Sequence, residues 1–294
     1  MMFKNILVAL DGSELAEQAI PYVAQLARAF RSRVSVVGVA STAEATVGGS
    51  RLYQIYLDRM VADFADRKVL AVSRLVLGDP YAQIIALAEK EKIDLLSITT
   101  IGHGGQGPWK MGSVAEKIVT TAEIPVLLVP AHEGARKLDG VPVLNKVLFP
   151  IDVFQLDENA IPWVATLIKR SKAALILLNI APKPYAPMSI IKKWYQETSK
   201  YLESEAIKYL RKTARILARR GVEAELEVRE GEPADVIIEY AIQNNIDLIA
   251  MSTHSRPGVF QWSLGSVAHR VIHGAPVPVL LVRPGRRGSP VPEV

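Results

Sequence analysis

The sequence predicts an α/β protein made of two tandem domains, each a five-stranded parallel sheet covered by helices on both faces. Three observations carry that prediction. The chain repeats itself, short apolar runs alternate with amphipathic stretches in each repeat, and 294 residues suit about two domains of ordinary size.

The repeat is read directly. Ala19-Ile20-Pro21-Tyr22-Val23-Ala24 returns as Ala160-Ile161-Pro162-Trp163-Val164-Ala165, an offset of 141. Gly78-Asp79-Pro80, Ile93-Asp94-Leu95 and Gly112-Ser113-Val114-Ala115 return as Gly231-Glu232-Pro233, Ile246-Asp247-Leu248 and Gly265-Ser266-Val267-Ala268, an offset of 153. One insertion of 12 residues in copy two, between its second and third strands, accounts for the difference. The expected division is domain one at 1–131, a linker at 132–143, domain two at 144–284 and a flexible tail at 285–294.

In copy one, Asn5 to Leu10 is a short apolar run ending at Asp11-Gly12-Ser13, and Glu14 to Phe30 carries apolar residues at helical spacing. Val34 to Ala40 reads as a second strand, Arg51 to Lys68 as a helix and Ala71 to Leu77 as a third strand. At Gly78-Asp79-Pro80, Asp79 suits a helix cap and Pro80 the first turn, predicting a helix to about Lys92. A fourth strand, Asp94 to Thr99, precedes the glycine-rich stretch Gly102 to Gly107. Ser113 to Glu116 has capping-box spacing and opens the last helix, before a fifth strand at Val126 to Val129. Copy two repeats the order, with a longer helix, Trp194 to Arg220, in the insertion region and a stiff Pro182-to-Pro187 loop before it.

Composition narrows the function classes. At 49% hydrophobic and 22% charged the chain is neither disordered nor fibrous, and no apolar run approaches the roughly 20 residues needed to cross a bilayer. Zero cysteines exclude disulfides, a thiol nucleophile and cysteine-ligated metal. Met1 to Leu10 reaches Asp11 before a signal-peptide core is complete, so a cytoplasmic location is expected. Residues 1–140 hold 15 basic and 15 acidic side chains and residues 141–294 hold 20 and 15. The excess around Lys208 to Arg220 is interleaved with apolar residues, which reads as a solvated helix face more than a nucleic-acid surface.

The chemistry-bearing motif follows the fourth strand: Thr99-x2-Gly102-x9-Gly112-Ser113 in copy one and Ser252-x2-Ser255-x9-Gly265-Ser266 in copy two. With Asp11-Gly12-Ser13 after the first strand, this arrangement resembles the universal stress protein family, whose nucleotide-binding members carry a Gly-x2-Gly-x9-Gly-Ser or Thr motif here. The resemblance implies two Rossmann-like domains of the adenine-nucleotide alpha-hydrolase type with strand order 3-2-1-4-5. It further implies a regulatory protein of the stress response that binds ATP or AMP, with Mg accompanying ATP. Asp11 and Val39 would address the adenosine, and Thr99, Gly102, Gly112, Ser113 and Val114 the ribose and phosphates; Asp152, Ile180, Gly265 and Ser266 are the copy-two counterparts.

Glycine permits positive φ and close backbone approach, and a helix start offers N–H groups to phosphate. Thr99, Ser252 and Ser255 stand where glycines are usual, and a residue forced into left-handed geometry costs about 1–2 kcal/mol. Copy two also has Val153 and Phe154 for Gly12 and Ser13, so domain one is expected to bind better. Other readings stand beside these. Asp11 and Asp152 suit loop bracing as well as ligand contact, Asp94 and Asp247 read as turn residues, and Trp109 and Trp262 as packing anchors. The five histidines show no convincing metal-ligand spacing, and no nucleophile-base pair or paired carboxylates suggest an enzyme. A nucleotide-free interaction scaffold is the alternative function. The family pattern implies that the halves pair through their fifth strands as an internal pseudo-dimer, with further homodimerisation open.

Overall fold

The computed structural model describes residues 2–40, 47–102, 111–131, 144–152, 160–181, 192–252 and 264–282. The linker, the tail, the Pro182-to-Pro187 loop, Gly104 to Trp109, Val153, Phe154, Ser255 and Trp262 lie outside these residues. Copy one runs β1 (Asn5–Leu10), α1 (Glu14–Glu17), α2 (Ile20–Phe30), β2 (Arg33–Ala40), α3 (Val47–Asp66), β3 (Leu70–Leu77), α4 (Pro80–Lys90), β4 (Leu95–Thr99), α5 (Ser113–Thr121) and β5 (Val126–Val129). Copy two runs β6 (Lys146–Pro150), α6 (Ala160–Ser171), β7 (Ala174–Ala181), α7 (Lys192–Arg219), β8 (Ala224–Glu230), α8 (Pro233–Gln243), β9 (Leu248–Ser252), α9 (Ser266–Gly274) and β10 (Val279–Val282).

All ten strands form one sheet in the order β3-β2-β1-β4-β5-β10-β9-β6-β7-β8, so each half has the order 3-2-1-4-5 and is parallel within itself. The central pair, β5 and β10, is antiparallel: Leu127 faces Leu280, Val126 faces Leu281 and Leu128 faces Val279. Leu127 and Leu280 are repeat mates, so an approximate two-fold axis passes between them. Each sheet face carries one apolar core that spans both halves. One joins α2, α3, α6 and α7 to the sheet, the other α4, α5, α8 and α9. On the first face Phe3 lies 5.9 Å from Trp163, and the Leu144 N–H donates to Gln25 Oε1 at 2.9 Å.

Most elements match their expected ranges within one to four residues. The single helix expected over Glu14 to Phe30 divides into α1 and α2, because Pro21 in the first turn of α2 has no N–H to continue the ladder. Asp79 caps α4 as expected, accepting from the Ala82 N–H at 2.9 Å. The Ser113 capping box is a misreading: Gly112 is the cap residue and Ser113 the first helical residue, as are Gly265 and Ser266 in α9. On α7, Ala206, Leu210, Thr213 and Leu217 are buried while Lys208, Arg211, Lys212, Arg215 and Arg219 are exposed, a one-sided amphipathic helix. Among the described residues no helix is long and apolar enough to cross a membrane.

Asp94 and Asp247 do more than turn the chain. Asp94 Oδ2 accepts from the N–H groups of Lys4 and Asn5 at 2.7 and 2.9 Å, and Asp247 Oδ2 from Asn145 and Lys146 at 2.8 and 2.9 Å. Each carboxylate fixes the start of the first strand in its half. Asp94→Ala should therefore lower the unfolding free energy of the first half by about 1–2 kcal/mol, read as a shift of the urea midpoint; an unchanged midpoint would deny the tie any role.

Candidate functional site

β1 and β4 are neighbours at the point where the strand order reverses, and their carboxyl ends open the crevice where such sheets receive ligands. Gly12 has φ +85, so the turn after β1 requires glycine. That turn is braced by Asp11, whose Oδ1 accepts from the Ser13 N–H at 3.0 Å and Ser13 Oγ at 2.6 Å; Ser13 Oγ in turn caps α1 through the Ala16 N–H. The loop after β4 comes up against the same carboxylate. A Cβ on Gly102 would lie 1.8 Å from Asp11 Oδ2, so only glycine allows this approach.

The other end of that loop is pinned to the sheet. The Gly112 N–H donates to the Thr100 carbonyl at 2.8 Å, the Thr100 N–H to Val129 at 2.8 Å, and the Ala131 N–H to Thr100 Oγ1 at 3.0 Å. No described side chain caps α5, so the N–H groups of its first turn open at the loop, beside the exposed Ser113. Val39, near the end of β2, and Val114 are half-buried against the same apolar core. Asp11, Gly102, Gly112, Ser113 and Val114 thus gather at the carboxyl ends of β1 and β4, with Val39 one strand further out.

Two expectations about glycine need correction. Gly112 has φ −66 and Gly265 φ −55, ordinary for any residue, and a Cβ on Gly112 would meet only Thr100 O at 3.7 Å. Neither glycine is demanded by its own backbone. Thr99 is the buried last residue of β4, with Oγ1 donating to the Ile101 carbonyl at 3.0 Å, and Ser252 is the last residue of β9. Neither has positive φ, so the left-handed penalty expected of these replacements does not arise. In copy two Asp152 is exposed, Ile180 is half-buried at the end of β7, and Gly265 and Ser266 start α9.

A further brace was not read from the motifs. The carbonyl that ends β1, Leu10 O, accepts from the Tyr53 hydroxyl at 2.7 Å. Gly38 makes room for that ring, since a Cβ there would sit 2.9 Å from it. In copy two the equivalent carbonyl, Ile151 O, accepts from Asn179 Nδ2 at 2.8 Å, and Asn179 is the repeat mate of Gly38. Different side chains hold the same carbonyl beside the Asp of each copy. Tyr56 lies within reach of the charges of both Asp11 and Glu17. Burial raises the Glu17 carboxyl above its ordinary value of 4.5, with the Arg59 charge opposing. Burial and then the Glu17 carboxylate push the Tyr56 hydroxyl upward.

Two concavities among the described residues lie at the opposite, amino ends of the strands. The one lined by Asn5, Arg33, Ser35, Arg74 and Glu91 is closed by an Arg74–Glu91 pair at 2.7 Å, to which Ser35 Oγ adds a 2.6 Å hydrogen bond. Two of its charges, Arg74 and Glu91, are spent on one another. The histidine spacing also needs rereading: His269 and His273 are one turn apart on α9, and Glu116 of α5 faces both. His103, His132 and His254 lie outside the described residues.

Two doubly wound α/β halves joined in one sheet, each with a glycine-bearing loop at its switch point, define the class of this protein. The chain belongs to the universal stress protein family, whose profile matches residues 2–130 and 144–283. It is 22% identical over 311 residues to a universal stress protein of Synechocystis sp., covering 95% of this chain and all of that one. It is 30% identical over 146 residues to one from Methanocaldococcus jannaschii, covering 49% of this chain and 85% of the relative. The crystal structure of a universal stress protein from Archaeoglobus fulgidus superposes with a TM-score of 0.72 over 97% of this chain and 100% of that one; at 19% identity it shares the fold.

Gly102→Ala should cost about 1–2 kcal/mol by forcing Asp11 off Ser13, and should be nearly neutral in an Asp11→Gly background. Urea unfolding of the four proteins measures the coupling, and additive effects would show that the two loops do not meet. Glu17 gives a pH test. Its folded-state affinity for a proton exceeds that of the unfolded chain, so its contribution is present below 4.5 and lost as pH rises through the folded value. Glu17→Gln should raise Tm at neutral pH and lose that advantage in acid, as scanning calorimetry across pH would record.

Proposed function

We propose that this chain is a regulatory adenine-nucleotide-binding protein of the stress response, taking ATP or AMP mainly in its first half. The observation that carries the reading is the meeting of Asp11 with Gly102 at the switch point, beside the uncapped start of α5. A carboxylate at Asp11 is an acceptor suited to adenosine hydroxyl or amino groups. The α5 start offers N–H groups and positive dipole to phosphate, and Mg would accompany the triphosphate. The carboxylates of Asp11 and Glu17 make the Asp11 end unfavourable for phosphate, which orients the ligand with its adenosine there. Copy two lacks glycine at 12's counterpart, Val153, and a β-branched residue resists the positive φ that Gly12 adopts. This supports a weaker second site.

The reading is of binding without turnover, in the cytoplasm, with the two halves acting as one pseudo-dimer. The β5–β10 ladder and the Phe3–Trp163 contact support that last point. A scattering profile of the full chain fitted only by two independently tumbling bodies would refute it.

Because Gly112 has ordinary backbone geometry, Gly112→Val tests ligand approach with little strain on the fold. Calorimetric titration of the full chain with ATP and AMP should give one dominant site. Gly112→Val should weaken it at least about tenfold, or about 1.4 kcal/mol, while Gly265→Val changes it little. Equal loss in both variants would make the sites equivalent. No binding by the unaltered chain would favour the nucleotide-free scaffold, and hydrolysis of ATP at catalytic rates would overturn the non-enzymatic reading.

A further inference from the structure

The two halves also meet at a cluster that lies away from the Asp11–Gly102 contact. Glu116 reaches from α5 of the first half toward His269 and His273 on α9 of the second. His269 and His273 are spaced i, i+4, so their rings share one helix face, with centroids 4.5 Å apart. Glu116 Oε1 is 3.7 Å from His269 Nε2, and Oε2 is 3.3 Å from His273 Nε2. One donor atom from each of the three side chains lies within 4.8 Å of the other two.

The second observation concerns His273. Its Nε2 is enclosed and makes no hydrogen bond, despite its closeness to the carboxylate. Arg270, between the two histidines in sequence, pairs with Glu232, the cap residue of α8, at 2.9 Å and with Asp235 in its first turn at 2.6 Å. An enclosed imidazole nitrogen without a partner carries a desolvation cost. A divalent cation would supply that partner. Bonds of about 2.0–2.1 Å in tetrahedral geometry place donor atoms about 3.3 Å apart, a contraction from the 4.8 Å within which the three donor atoms lie. Two imidazoles and one carboxylate favour zinc and its neighbours in the first transition row over magnesium or calcium.

We propose that Glu116, His269 and His273 form a zinc-type site that bridges the two halves. His269 and Glu116 are partly exposed, giving the ion a path from solvent and a fourth position open to water. Glu116 and His269 are repeat mates across the approximate two-fold axis. Two identical copies would set like residue against like there; divergence of the copies sets carboxylate against imidazole.

The test uses the full chain without an affinity tag, stripped with EDTA and titrated with Co(II) and then Zn(II), at neutral pH. One Co(II) per chain should give visible bands of low-coordinate geometry, which Zn(II) bleaches, and Zn(II) should raise Tm. His273→Ala and Glu116→Gln should each weaken zinc binding by about 100-fold or more, since even partners outside the ligand set are worth 10–100-fold. His269→Gln, at a half-exposed position, supplies a second ligand variant if His273→Ala fails to fold; circular dichroism monitors folding. Absent bands, or bands unchanged in the ligand variants, would overturn the site. Loss with the histidine variants but not with Glu116→Gln would overturn the bridge between the halves.

Discussion

Antiparallel pairing of β5 with β10 is the constraint from which the molecule's other long-range arrangements follow. Both strands are short, apolar and buried, and each would be a bare edge in an isolated half. Joining them makes one ten-stranded sheet and lets each sheet face carry a continuous core across the seam. Because the halves run in opposite directions, their carboxyl-end crevices open at opposite edges of the sheet. The seam therefore sets the carboxyl ends of β1 and β4 opposite in direction to those of β6 and β9 while bringing α5 and α9 within side-chain reach of each other.

In the first half, the position of the acidic residue after the first strand is over-determined. Asp11 is tied to Ser13 on one side and limited by Gly102 on the other, while the carbonyl before it is held by Tyr53. Copy two keeps the last constraint by a different route, with Asn179 in place of the Gly38–Tyr53 arrangement. Selection for the same backbone point by two unrelated donors explains why Gly38 has a polar repeat mate. A glycine there is needed only where a tyrosine ring lies over the strand.

The fold was legible because periodicity, repeat and turn residues all pointed to the same architecture. The crevice was legible in part: Asp11, Gly102 and the start of α5 come together as the motif implied. What the sequence hid was mostly backbone. Arg31, Lys68 and Lys92 adopt positive φ after helices without any glycine to announce it, and their repeat mates Lys172, Gly221 and Asn245 do the same. The α1–α2 break was masked by an unbroken apolar spacing around Pro21. Gly112 has an ordinary dihedral, φ −66, and an added Cβ would make only ordinary contact, so neither backbone nor packing marks it out.

The histidine pair was hidden for another reason. The i, i+4 spacing on α9 was visible, but its third partner sits 153 residues earlier and meets it only across the β5–β10 seam. Sequence spacing reports ligands that share an element; it is silent on ligands that share an axis. In a tandem chain the repeat offset supplies the missing coordinate, because residues near the two-fold axis face their own repeat mates. Leu127 facing Leu280 locates that axis in the sheet, and Glu116 facing His269 lies on the helix layer beside it. Duplication followed by divergence thus allows a chemically asymmetric contact at a symmetric place, which a pair of identical single-domain chains could not build from one position.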